Sequence, residues 1–428
     1  MRIPIDRYTL PNGLTVILSP DHTTPVVAVN LWYHVGSANE RAGRTGFAHL
    51  FEHMLFQGSA NVAANEHFEL VQRAGGTLNG STWLDRTNYY ETVPSHQLAL
   101  ALWLEADRMA RLLPAMTQEK LDTQRDVVKN ERRWSVDNQP YGDWWERLPA
   151  LCFPATHPFH HSLIGSFEDL DAASLDDIRE FFATWYAPDN AVLTICGDFE
   201  PAAARALVEE LFGPIPRGGA RPALPDMSVA PVFGDPPHAI VTDDVPAPRV
   251  FVAMRVPPYG TTDWYAASVL STVLGVRAGS RLSRALVREQ RIAADAGAFT
   301  FDLAKGTDLL VCDVTGHPET DGDALEAAVH AVLDAIVADG VTDGEVARAL
   351  ALLETGYAES LQSAGQRADL LSRYATYFGE PERINSALER YRAVTADAVS
   401  AVARERCART NRAVLRYEPA PATTAVAA

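Results

Sequence analysis

The residues of this chain best placed to do chemistry lie in Gly46-Phe-Ala-His49-Leu-Phe-Glu52-His53-Met-Leu-Phe-Gln-Gly58. Two imidazoles at i and i+4 stack one turn apart on a helix and can hold one metal ion together. A carboxylate between them, Glu52, could polarise a water bound to that ion. The alternative employment for such histidines is hydrogen bonding to carbonyls within a core. Phe47, Leu50, Phe51, Met54 and Leu55 fall at i, i+3, i+4, i+7 and i+8, and His49, Glu52, His53 and Phe56 repeat those offsets on the opposite face. The helix is therefore apolar on nearly every side. That predicts burial, and buried polar groups need partners.

The elements around this helix, expected at 45–57, can be read in order. Leu10-Pro-Asn-Gly13 forms a turn before a strand at Leu14–Leu18, and Val26–Val35 is a longer β-rich run. Glu66–Arg73 is a short helix closed by Gly75-Gly76. Strands at Thr77–Thr82 and Thr87–Val93 are joined through Asp85-Arg86. An amphipathic helix over 96–113 stops at Pro114, and Thr117 caps the next, over 118–134. There Leu121, Gln124, Val128 and Glu131 share a face, so Glu131 points inward among apolar neighbours, an unusual place for a carboxylate without a counter-charge.

Residues 214–237 are dense in Pro and Gly without periodicity and read as a linker. On either side of it the same order of elements recurs. Arg249–Val256 stands where Val26–Val35 does, and a helix at Trp264–Leu274 where the histidine helix does. Ser174-Leu-Asp-Asp177 and Thr395-Ala-Asp-Ala are matching caps, followed in each case by an Asn (Asn190, Asn411) leading into Ala-Val-Leu, then by an exit at Glu-Pro. A period of about 220 residues implies internal duplication. The expected fold is α+β: two similar half-units at 1–213 and 238–419, each an antiparallel-rich mixed sheet packed with helices, and a disordered tail at 420–428. No His/Glu pair in the second half replaces the first-half cluster.

Composition excludes several classes. The 428 residues are 47% hydrophobic and 21% charged, as in ordinary globular proteins. The formal net charge of −18 argues against a basic grip on nucleic acid or anionic lipid. No run approaches the roughly 18 apolar residues of a membrane span, and the N-terminus enters a strand pattern without an apolar leader, so a cytoplasmic protein is expected. The four cysteines are far apart and form no C-x-x-C pair, which predicts buried free thiols. His157-Pro-Phe-His-His161 could be a second metal site, but its Pro and Gly neighbours suit an irregular loop.

His49-Leu-Phe-Glu52-His53 has the inverted zinc-peptidase spacing H-x-x-E-H. With Gly76-Thr-Leu-Asn-Gly80, Arg125-Asp-Val-Val-Lys-Asn-Glu131, His157-Pro-Phe, Ile164-Gly-Ser-Phe-Glu-Asp-Leu170, Gly279-Ser-Arg-Leu282 and Leu286-Val-Arg-Glu289, the chain resembles the pitrilysin/insulinase/mitochondrial-processing-peptidase family of zinc peptidases, in its short two-domain form. The resemblance covers nearly the whole chain. It implies one Zn²⁺ per chain held by His49, His53 and Glu131, and Glu52 as general base. It further implies that the Thr77–Thr82 strand adds an extended peptide substrate as a new strand. Asn79 and Gly80 are then candidate substrate contacts, although they could equally form a bulge or turn in an ordinary hairpin.

Two positions depart from the family pattern. Gln124 stands where many relatives have a second Glu. Arg288 matches an oxyanion-stabilising Arg, but Asp295 occupies the position seven residues on where a Tyr would stand. This implies a dimer, either of two copies of this chain or with a sister subunit bearing the Arg/Tyr pair. The expected function is a zinc endopeptidase acting on unfolded peptides or protein segments. The alternatives are a non-catalytic assembly or core subunit of a peptidase-like complex, and a structural metal protein, which would need a closed four-ligand shell.

Overall fold

The computed structural model describes residues 2–421; from residue 422 onward the expected tail lies outside the described residues. The fold is α+β, built on two mixed sheets. The chain forms two compact units, and neither is contiguous in sequence.

The first unit comprises the chain up to Arg133, His161–Pro225 and Gly356–Ala387. Its strands are β1 (Asp6–Thr9), β2 (Thr15–Pro20), β3 (Val26–Tyr33), β4 (Thr77–Thr82), β5 (Thr87–Pro94) and β6 (Ala191–Gly197). They lie in the order β1-β2-β6-β3-β5-β4. The β2/β6 pair is parallel and every other pair antiparallel. β6 is buried throughout and β3 nearly so, as central strands covered on both faces must be. The helices nearest the site are α1 (Phe47–Met54), α2 (Glu66–Arg73), α3 (Leu98–Arg111) and α4 (Gln118–Arg132). A helix from late in the chain, Ala364–Phe378, packs across β3 and β6. Its Asp369 Oδ1 accepts from Trp32 Nε1 at 2.9 Å, and its Ser372 Oγ donates to Thr194 Oγ1 at 2.8 Å.

The second unit comprises Trp134–His160, Asp226–Thr355 and the chain from Leu388. Its strands are β7 (His238–Asp243), β8 (Arg249–Val256), β9 (Ala293–Thr300), β10 (Asp308–Gly316) and β11 (Ala413–Pro419), in the order β7-β11-β8-β10-β9. Only β7/β11 is parallel. An early helix, Trp144–Cys152, packs on β8 and β11, with Trp144 stacked on Phe251 at 4.9 Å.

Taken in chain order, β2 through β6 and β7 through β11 have the same spatial order and the same pattern of parallel and antiparallel pairs, so the duplicated order of elements is real. The repeated Asn has a physical reason. Asn190 Nδ2 donates to Trp185 O and His34 O, and Asn411 Nδ2 donates to Arg406 O and Arg255 O. In each unit this side chain ties the end of the preceding helix to a neighbouring chain segment just before the strand begins. The units depart from the contiguous halves read from the sequence because each takes a helical segment from the other half of the chain. Residues 213–237 contain no helix or strand. All four cysteines are free and buried, and no helix among the described residues is long and apolar enough to cross a membrane.

Candidate metal centre

α1 is shorter than its periodicity suggests. It opens at Gly46, whose φ of 83° suits glycine, and where a Cβ would lie 2.5 Å from Ile164 O. Gly46 has no side chain to cap the helix. Glu40 does so from outside, accepting from Gly46 N at 2.9 Å and Ala48 N at 2.7 Å. The apolar face is buried as expected, with Phe51 against Phe181, Phe182 and Tyr186. The polar face is not sealed. His49 is buried, but the His53 side chain is 21% exposed and that of Glu131 37%. Glu131 therefore sits at a partly open rim rather than deep among apolar neighbours.

The His49 and His53 rings lie 4.9 Å apart, nearly perpendicular. Glu131 reaches both from α4: its Oε1 is 3.6 Å from His49 Nε2 and its Oε2 is 3.1 Å from His53 Nε2. One ligand atom from each of the three residues falls within 4.8 Å of the others. Tetrahedral zinc with bonds of about 2.0–2.1 Å needs donors roughly 3.3 Å apart, which 3.1 and 3.6 Å bracket. Burial, then the neighbouring His53, hold the His49 pKa below its usual value, while the hydrogen bond to His53 pulls that of Glu131 down. Neutral imidazole and ionised carboxylate are the forms that ligate metal. The donor set fits zinc. Gln124, two turns before Glu131 on the same face of α4, is buried.

Glu52 accepts from Thr82 Oγ1 at 2.7 Å. Its pKa is raised, chiefly by burial, against the pull of that hydrogen bond and of His53. Gly80 faces the same helix: a Cβ there would lie 3.0 Å from Glu52 Cγ and 3.3 Å from both Phe56 and Tyr89 rings. β4 and β5 pair in unbroken register, without a bulge. β4 is an edge strand. Beyond the ladder Trp83 N donates to Arg86 O at 2.8 Å in continuing register. Bonded and non-bonded pairs alternate in antiparallel sheets, so the backbone groups of Leu78, Gly80 and Thr82 face the open edge. Asn79 is exposed on that strand, and its Oδ1 accepts from Gly80 N at 2.9 Å.

Arg288 belongs to the second unit, exposed in a π-helical turn at Ser283–Glu289, and Asp295 is exposed on β9. The His-rich loop is irregular, as expected, with ring nitrogens engaged by backbone. His157 Nδ1 accepts from Phe159 N, and His160 Nδ1 lies 2.8 Å from Phe153 O.

A second cluster was not apparent from the sequence. His67 on α2, Glu91 on β5 and Glu105 on α3 converge in the core. His67 Nε2 lies 2.6 Å from Glu91 Oε1, and Arg108 forms a two-pronged bond with Glu105 while lying 4.2 Å over the Tyr89 ring. The guanidinium supplies the positive charge this group needs, so it reads as a buried ion-pair core.

Residues 15–146 match the family model described as Insulinase (Peptidase family M16), and 172–353 match that described as Peptidase M16 inactive domain. A zinc protease of Mycobacterium bovis, named as uncharacterized, is 30% identical over 398 residues, 93% of this chain and 90% of that one. The chain belongs to the insulinase (M16) peptidase family. The Helicobacter pylori zinc protease PqqE is 29% identical over 371 residues, 86% of this chain and 83% of that protein. The crystal structure of a protease from Helicobacter pylori superposes with a TM-score of 0.91 at 27% identity, covering 98% of this chain and all of that one. His49, Glu52, His53 and Glu131 all fall within the first matched segment of this M16 chain, outside the one described as inactive.

Proposed function

We propose that this M16 chain is a zinc-dependent endopeptidase that hydrolyses extended segments of unfolded peptides or proteins. The observation that carries this reading is the convergence of His49, His53 and Glu131 beside Glu52 at a partly open rim. Three protein ligands leave a coordination position for water, as catalytic rather than structural sites do. Zinc held there supplies Lewis acidity, polarising the scissile carbonyl and bringing the pKa of water down to about 7. Glu52 takes the proton from the attacking water and delivers it to the leaving amide nitrogen. The open edge of β4, with the Gly80 and Thr82 backbone, pairs with an extended substrate and reads main chain rather than sequence. The Asn79 side chain, which holds the Gly80 N–H, gives way when a substrate carbonyl takes that donor. The missing Tyr at Asp295 supports a second element of the reading: full activity in a dimer with a sister chain that carries an Arg/Tyr pair.

The test is purified protein assayed for metal and for cleavage of an unstructured peptide. About one zinc per chain is expected, with turnover abolished by chelation. Glu52→Gln keeps the zinc and loses about 10²- to 10⁴-fold in kcat. Absence of stoichiometric zinc, or full turnover by Glu52→Gln, overturns the reading.

A further inference from the structure

Thr82 occupies the last position of β4, and its two halves face different ways. Its side chain is buried against α1, where Oγ1 donates to Glu52 Oε2 at 2.7 Å. The same oxygen lies 3.5 Å from Ala48 O. A hydroxyl has one proton to give, and the shorter contact to a carboxylate is the stronger bond. Its backbone N–H and C=O, by the register that Trp83 and Arg86 continue, face the open edge of the sheet. Glu52 has no other hydrogen-bond donor among the described side chains.

We infer that Thr82 is a positioning residue that fixes the Glu52 carboxylate relative to the strand on which substrate docks. This deepens the peptidase reading and depends on it for its catalytic consequence. Without the hydroxyl, the Glu52 carboxylate loses its directional hold, because packing of its stem beside Gly80 does not by itself select one setting of the broad terminal torsion. With it, one carboxylate oxygen is held and the other is left for the proton of water. The distance between proton acceptor and scissile bond is then set by one residue, since the backbone that pairs with substrate and the hydroxyl that holds the base are both Thr82. Misplacement of a catalytic group by about 1 Å can cost on the order of 10²-fold in rate.

The experiment compares the parent, Thr82→Val and Thr82→Ser in the full chain. Val keeps the shape and removes the hydroxyl; Ser keeps the hydroxyl. Thr82→Val is expected to retain its zinc and its KM within about twofold while kcat falls about 10- to 100-fold, with Thr82→Ser restoring most of the loss. A loss confined to KM, or a Ser variant as impaired as Val, overturns the inference, because either would mark a packing role. Crystal structures of the parent and Thr82→Val separate this idea from the peptidase reading. The Glu52 carboxylate is expected to leave its position in the Val variant. If it stays, Thr82 does not position it, whatever the chain cleaves. If the parent cleaves nothing, the function falls and the carboxylate position still decides the role of Thr82.

Discussion

Glu91 and Glu105 lie wholly in the core beside a single guanidinium, and burial pushes each pKa up to about 7 from 4.5, while burial lowers that of His67 to about 3. Between about pH 4.5 and 7 the folded chain therefore keeps a proton on Glu91 that the unfolded chain has released. Stability from this group is present at low pH and is lost as pH rises through 7. Glu91→Gln mimics the protonated form permanently. Its melting temperature relative to the parent should be higher at pH 8 than at pH 5, by about 2–4 °C for each kcal/mol recovered, as read by scanning fluorimetry at both pH values. A constant difference across that range would mean Glu91 stays ionised in the fold. This cluster was invisible in the sequence because its members come from α2, β5 and α3 with no local spacing to join them. His49, Glu52 and His53 were legible because one helical turn brings them together. Glu131 was singled out by its place in the α4 pattern and tied to zinc only through the family resemblance, and that same pattern overstated its burial.

Elements were most legible where a period and a boundary signal coincide. α2 ends where Arg73 meets Gly75, and Thr117 and Ser174 cap helices by accepting from the backbone three residues on. The start of α1 was less legible because its cap comes from outside the helix. Glu40 stands six residues before Gly46, and both its oxygens accept first-turn N–H groups. His49 lies in that turn, so fraying there moves a proposed metal ligand. Glu40→Ala leaves two buried donors without their acceptor, at a cost of about 1–3 kcal/mol for each buried group left unsatisfied. The expected outcome is a lower melting temperature and zinc affinity weakened at least about tenfold, measured by calorimetry and competition with a chromogenic chelator. Unchanged zinc affinity in a folded Glu40→Ala protein would show that α1 holds its ligands without this cap.

At the scale of the molecule the sequence revealed two halves and the structure redistributes them. Periodicity reports only which face of a helix is apolar, not which sheet covers it, so nothing in Ala364–Phe378 announces that it covers β3 and β6. That helix buries Leu371, Tyr374 and Ala375 and brings Asp369 to Trp32; Arg367 reaches Asp21 at 2.6 Å and Tyr377 donates to Asp85. Trp144–Cys152 does the reciprocal service for β8 and β11. A fragment ending in the Pro-rich stretch, residues 2–225, thus contains every proposed zinc ligand yet lacks part of its own core. Each large side chain uncovered costs about 1.5–3 kcal/mol, and Trp32 Nε1 loses its acceptor, so the sum approaches the 5–15 kcal/mol that holds a domain together. Residues 2–225 and 226–428 expressed separately should each show weak or non-cooperative unfolding, and the first should bind zinc poorly. Mixing them should restore both cooperative unfolding and stoichiometric zinc, because each fragment carries the helix that the other's sheet requires. A residue 2–225 fragment that unfolds cooperatively and holds zinc alone would show that the exchanged helices are ornament to the fold rather than part of its core.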